Sequence, residues 1–180
     1  MWNTTDPCCV IFLIKGSGGT SFNTDTGAGS DILCLHSQPR LDTSLATLAN
    51  ASRSTIYGIE YGFDRIPFSY ENNCRQTFLG GDMPCAVCHV QTKTQQIMIP
   101  ARDSCPTGWT LKYWGFLVSA GVSHRKLTYT CLNNTPESLT GSFADSLSRV
   151  IYPVETVCGA SLPCPPYVAG IAVPCFVCAK

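Results

Sequence analysis

The sequence predicts a mainly β fold made of two tandem homologous disulfide-rich halves, with pseudo-twofold symmetry, long loops and little helix. Three observations carry this. Cysteine makes up 12 of the 180 residues. Short runs rich in β-branched and aromatic residues alternate with Gly, Pro, Asn and Ser. A set of motifs recurs at a nearly constant offset.

The elements follow in chain order. Val10–Ile14 opens as a strand, and Gly16-Ser17-Gly18-Gly19-Thr20-Ser21 follows it. That glycine run lacks the Gly-Lys-Ser/Thr ending of a phosphate loop, so it reads as a flexible surface loop. Asp25 and Asp31 fall in the same polar stretch without EF-hand spacing, which predicts a solvated loop rather than a calcium site. Ile32–Leu35 and Thr55–Tyr61 are the next strands. Between them Leu41–Ala51 is the best helix candidate, with Asp42 or Thr43 as its cap. In the second part Ile97–Pro100, Thr110–Ser119, Lys126–Leu132 and Arg149–Val157 read as strands, and Pro136–Leu147 as a weaker helix.

The duplication rests on five markers. Pro84-Cys85-Ala86-Val87-Cys88 matches Pro174-Cys175-Phe176-Val177-Cys178 at an offset of 90. Cys34 and Cys131, each within a Cys-Leu pair, lie 97 apart, as do Pro39 and Pro136 in the polar stretches that follow them, and Cys9 and Cys105 lie 96 apart. Ile56-Tyr57-Gly58-Ile59-Glu60 matches Ile151-Tyr152-Pro153-Val154-Glu155 at 95. The halves are therefore 1–92 and 93–180. One holds Cys8, Cys9, Cys34, Cys74, Cys85 and Cys88; the other holds Cys105, Cys131, Cys158, Cys164, Cys175 and Cys178. Six in each is an even number, so each half can close its own bridges.

Composition excludes several function classes. Lys+Arg and Asp+Glu both number 12, the net charge is zero and only 13% of residues are charged. Such a chain offers no basic face for nucleic acid or anionic lipid. The longest apolar run, Cys8–Ile14, is too short to span a bilayer. Fifteen glycines are far too few for a collagen helix. The cysteine content and the sequons at Asn3, Asn50 and Asn133 point to a secreted, mature extracellular domain.

Two Cys-x-x-Cys motifs, with His36, His89 and His124, invite a zinc reading, but their separation is unlike a zinc ribbon. A redox centre needs its first thiol at a helix N-terminus, and no helical pattern follows Cys88 or Cys178. Disulfides without metal or cofactor are the expectation. Glu60 and Glu155 are matched between halves and read as structural carboxylates. No nucleophile elbow appears, so no enzyme is expected. The aromatic cluster Trp109, Tyr113 and Trp114 suggests a different chemistry. A hairpin bringing His124 and Arg125 to Tyr113 and Trp114 would give a ring face beside hydrogen-bond donors, which is how pyranoses are held. Those four residues are the candidate ligand site.

Motifs over residues 83–180 point to a family. Met83-Pro-Cys-Ala-Val-Cys, Ile99-Pro-Ala-Arg-Asp-Ser-Cys-Pro-Thr-Gly-Trp, Tyr152-Pro-Val-Glu and Leu162-Pro-Cys-Pro-Pro-Tyr-Val resemble the cysteine-rich non-collagenous domain of sponge short-chain (spongin-type) collagen-like proteins. Related free-standing proteins occur in other marine invertebrates, and the chain is also similar to a feather-star N-acetyllactosamine-binding lectin of that family. The likeness covers residues 83–180; the first half departs more, since Cys8-Cys9-Val lacks the Cys-Pro of Cys105-Pro106. The lectin likeness implies a secreted, non-catalytic protein for galactose-type or N-acetyllactosamine glycans. The collagen likeness implies instead an extracellular matrix interaction module without a sugar site. Weak single sites would call for a homo-oligomer to gain avidity.

Overall fold

The computed structural model describes residues 11–27, 29–41, 54–63, 78–142, 149–159 and 161–180. Among these the fold is mainly β, in two sheets, with no helix. The strands are β1 (Ile11–Thr20), β2 (Leu33–His36), β3 (Tyr57–Gly58), β4 (Glu60–Tyr61), β5 (Pro84–His89), β6 (Gln96–Pro100), β7 (Thr110–Ala120), β8 (Thr130–Asn133), β9 (Val150–Pro153) and β10 (Pro174–Ala179). The smaller sheet is organised on β1, which pairs β2, β3 and β5. The larger has the order β4-β9-β7-β10-β6, with β8 also on β7. Every pairing is antiparallel except β4 with β9.

The glycine run after Ile14 is not a loop. Gly16, Gly18 and Gly19 continue β1, and their lack of a side chain is what lets the strand sit there. A Cβ on Gly16 would fall 1.6 Å from the Leu35 carbonyl oxygen, and one on Gly19 would fall 2.6 Å from the Leu35 side chain. Glycine in a strand marks close approach, and here it admits β2. Gly115 does the same on β7, where a Cβ would lie 1.7 Å from the Leu132 oxygen of β8.

The Cys-x-x-Cys segments, used above only as motifs, are strands: β5 and β10. Each begins with proline, which a strand tolerates at its first position. The expected helix at Leu41–Ala51 lies outside the described residues beyond Leu41. The part of Pro136–Leu147 that is described, 136–142, is irregular. Leu139 donates its amide to Asp82 O instead of a carbonyl one turn back, and Gly141 has φ 79°, which ends any helix there.

Four disulfides lie among the described residues: Cys34–Cys85, Cys105–Cys178, Cys131–Cys175 and Cys158–Cys164. None joins a residue before 92 to one after 93. Cys88 is bridged as well. Such bridges suit an oxidising, extracellular setting. No helix among the described residues is long and apolar enough to cross a membrane.

Two cores follow from the strand alternation. One face of β7 sends Val118 into a cluster with Ile59, Tyr61, Phe63, Met83, Leu127 and Ile151. The opposite face sends Leu117 into a cluster with Cys131, Val173, Cys175 and Val177. The first core lies between 1–92 and 93–180, and hydrogen bonds reinforce it. The Glu60 amide donates to Arg149 O (2.8 Å) and the Gly62 amide to Ile151 O (3.0 Å). The Tyr61 hydroxyl donates to Glu137 O (2.7 Å). Burial and the nearby Glu137 charge push the Tyr61 phenol well above its ordinary pKa.

This contact is not of the expected pseudo-twofold kind. A twofold would make Glu155, the match of Glu60, pair with residue 55 as Glu60 pairs with Val150. Glu155 keeps only the within-half bridge, to Ala172, which matches the Glu60–Asp82 bridge; among the described residues it has no pairing with Thr55. The contact is one-sided.

Candidate functional site

The long strand β7 determines where the four sequence-derived site residues stand. Tyr113 points to the disulfide-rich face and packs on the second core. Its hydroxyl donates to Cys131 O at 3.3 Å, and burial raises its pKa. It is a packing residue with its polar end satisfied.

Trp114 points the other way, half-buried. Cross-strand neighbours share a face, so Trp114 meets Phe176 of β10, its register partner. The rings stack with centroids 6.2 Å apart and planes at 24°. Phe116, two residues along β7, lies 6.3 Å from Trp114 at 59°. Ile99 of β6 pairs with Phe176 and extends the row across the sheet. The ledge Phe116–Trp114–Phe176–Ile99 is thus the outward continuation of the face that buries Val118. Asn134 stands beside it, its amide donating to Trp114 O at 3.0 Å, and Lys112 precedes it on β7.

His124 and Arg125 do not join this group. β7 stays extended to Ala120 and turns only at 121–124, where the His124 amide donates to Gly121 O. The six residues from Trp114 to Ala120 span about 20 Å of strand. The hairpin returns past the tryptophan with Asn133 and Asn134. At the far end the His124 ring lies 6.0 Å from Tyr152, its Nδ1 buried without a hydrogen-bond partner among the described residues. Arg125 serves the interior through its backbone: its oxygen accepts from Arg149 Nη1 (2.9 Å), and its amide donates to Asn23 O.

Phe116 and Phe176 escaped the sequence reading, although both had a signal. Trp114-x-Phe116 has strand alternation, and Phe176 replaces Ala86 in otherwise matching Pro-Cys-x-Val-Cys segments. A shallow cleft of about 200 Å³ opens at the far end of β10, lined by His89, Lys93, Gln95 and Gln96 among others. It is smaller than the cavities that enclose drug-sized ligands. No group of three or more His, Cys, Asp or Glu suited to a metal occurs among the described residues. Asp25 and Asp31, the acids considered for calcium, accept the hydroxyls of Thr55 (3.0 Å) and Thr128 (2.6 Å). The cysteines of both Cys-x-x-Cys segments are taken up in bridges.

Asn3 and Asn50 lie outside the described residues. The Asn133 side-chain oxygen accepts from the Thr135 amide (3.2 Å) and hydroxyl (3.3 Å), a local turn at the end of β8. In comparisons with known proteins, no family model, curated protein or solved structure matches the chain.

Proposed function

We propose that the protein is a secreted, non-catalytic carbohydrate-binding protein that takes galactose-type or N-acetyllactosamine glycans on the Trp114 ledge. The observation that carries this reading is the pair of stacked rings, Trp114 and Phe176, both half-buried. A rigid aromatic plane suits the apolar C–H face of a pyranose, and Asn134, whose amide donates to the Trp114 carbonyl, is a polar residue beside it. The repeat supplies a comparison. At the matching positions the first half has Lys15, Ser17 and Ala86 where the second has Trp114, Phe116 and Phe176. The strand framework is therefore compatible with no aromatic there, which favours a binding role for the ledge over a packing requirement. The ligand class comes from the resemblance to the feather-star lectin.

The test is a glycan array with lactose competition, run on the parent and on Trp114→Ala and Phe176→Ala. Binding should be lost in the first and weakened at least tenfold in the second, with circular dichroism unchanged. A folded Trp114→Ala protein that binds like the parent would remove the ledge from the site.

The alternative, an extracellular matrix interaction module without a sugar site, draws support from one other feature. The outer face of the small sheet leaves Leu33, Leu35 and Ile56 exposed.

A further inference from the structure

The two halves repeat each other bond by bond. The Gly18 amide donates to Met83 O (2.9 Å), and the Leu117 amide to Val173 O (2.9 Å). Met83 donates to Ile59 O (2.8 Å) and Val173 to Val154 O (2.9 Å). Ile59 donates to Gly18 O (3.2 Å), as Val154 does to Leu117 O (2.9 Å). Gly80 and Gly170 both donate at 2.9 Å, to Tyr61 O and Thr156 O, with φ of 74° and 73°. The register slip between β1 and β5 at Val87/Cys88 recurs between β7 and β10 at Val177/Cys178. These correspondences equate Ile56 with Ile151, Leu35 with Leu132, Gly62 with Val157, and Phe78 with Val168.

The contact between the halves joins two different surfaces of this repeated unit. The first half contributes its 60–63 and 78–83 segments; the second contributes the β7, β8 and β9 face around Val118 and Ile151. A one-sided contact between two like units leaves one unused copy of each surface. Both unused copies can be found. The first half's version of the receiving face exposes Leu33, Leu35 and Ile56; Ile56 is 47% exposed, whereas Ile151 is 0%. The second half's version of the inserting segments exposes Val157, Val168 and Ile171. These three lie together, because Thr156 donates its amide to Ile171 O and its hydroxyl to Val168 O. The Glu60 and Gly62 amides cross the internal contact; the matching amides of Glu155 and Val157 make no hydrogen bond among the described residues.

We propose that copies of this chain associate head to tail, the 155–157 and 168–171 segments of one docking on the Leu33–Leu35–Ile56 face of the next. The occupant is a second copy because each patch matches a surface that this chain already buries against the other. Val157 in place of Gly62 and Thr55 in place of Val150 make the fit a variant of the internal one. A Cβ on Gly62 would come 2.3 Å from Val150, so the larger Val157 meets the smaller Thr55. Such a contact does not consume its own surfaces, so it propagates into a row or closes into a ring. It is independent of the glycan reading.

Sedimentation velocity of the intact, oxidised chain over a concentration series tests this, using Ile56→Asp and Ile171→Asp. Both sites are exposed, so both variants should fold, with circular dichroism and disulfide content as checks. The parent should show dimers and larger species growing with concentration, while each variant alone should be monomeric. An equimolar mixture of the two should form dimers and stop there, since each supplies the surface the other lacks. A parent monomeric at all concentrations would overturn the proposal. So would a mixture that stays monomeric, the mark of a symmetric contact. Assembly should be unchanged in Trp114→Ala, whatever that variant does to sugar binding.

Discussion

Arg149 is fully buried and holds three acceptors at once. Its Nε and Nη2 donate to the oxygen and hydroxyl of Ser21, at 2.8 and 2.9 Å, and its Nη1 to Arg125 O at 2.9 Å. The guanidinium fork thereby ties the loop after β1 to the turn after β7. Burial lowers its pKa, and the nearby Asp25 carboxylate pulls it back up. A lysine keeps the charge but not the planar fork. Arg149→Lys should therefore lose about 2–4 kcal/mol, read from the midpoint of urea denaturation. Asp82 illustrates the opposite situation. Burial first, and the Glu60 charge second, raise its pKa above the ordinary carboxylate value. An acid whose folded pKa is raised weakens the fold at neutral pH, and the penalty fades as pH falls through that raised value toward the unfolded one. Asp82→Asn should then melt higher than the parent at neutral pH, with the gap closing near pH ~4. Thermal melts at the two pH values decide it; an equal or lower melting temperature at neutral pH would contradict the sign. Neither residue stood out in the sequence. Arg149 looks like any arginine before an apolar run, because its partners lie 128 and 24 residues away.

At the scale of the strand, glycine position governs the pairing. Gly16→Ala and Gly115→Ala each place a methyl carbon within 1.7 Å of a partner carbonyl oxygen. Either should break its strand pair and cost more than about 3 kcal/mol, in the range reserved for severe overpacking. Gly58→Ala meets nothing within 4 Å and should stay within about 0.5 kcal/mol of the parent. Equal stabilities across the three would show that β2 and β8 do not approach as closely as described. Much of the strand pattern was legible because β-branched runs such as Thr110–Ser119 carry it in their composition. The glycine continuation of β1 was not, since glycine in isolation signals a loop and only its neighbour shows that it makes room. β5 and β10 were hidden by their own cysteines, which draw attention to bridging chemistry and away from alternation. The candidate site was half legible. Trp114 is an aromatic in a strand, but its separation from His124 depends on β7 running straight to Ala120 without a bend.

At the scale of the molecule, bridges supplement the two cores. Closing a loop of 44 to 73 residues, as Cys131–Cys175, Cys34–Cys85 and Cys105–Cys178 do, restricts the unfolded chain by about 4 kcal/mol each in the loop-entropy account. The six-residue separation of Cys158 and Cys164 gives about 2 kcal/mol. Removing Cys131–Cys175 by paired Ala substitution should therefore lower the denaturation midpoint more than removing Cys158–Cys164. The same long bridges have a mechanical consequence. A pull on the two ends of the chain passes through the Cys105–Cys178 sulfurs and bypasses the residues between them. The separation of 73 corresponds to roughly 250 Å of extended backbone that stays coiled until the bond is cut. Single-molecule stretching should show a chain that yields early and then stops short, and that gains the missing length only in reductant. Under tension the protein would behave as a short tether with a fixed stop, its second half still folded around β7 and β10.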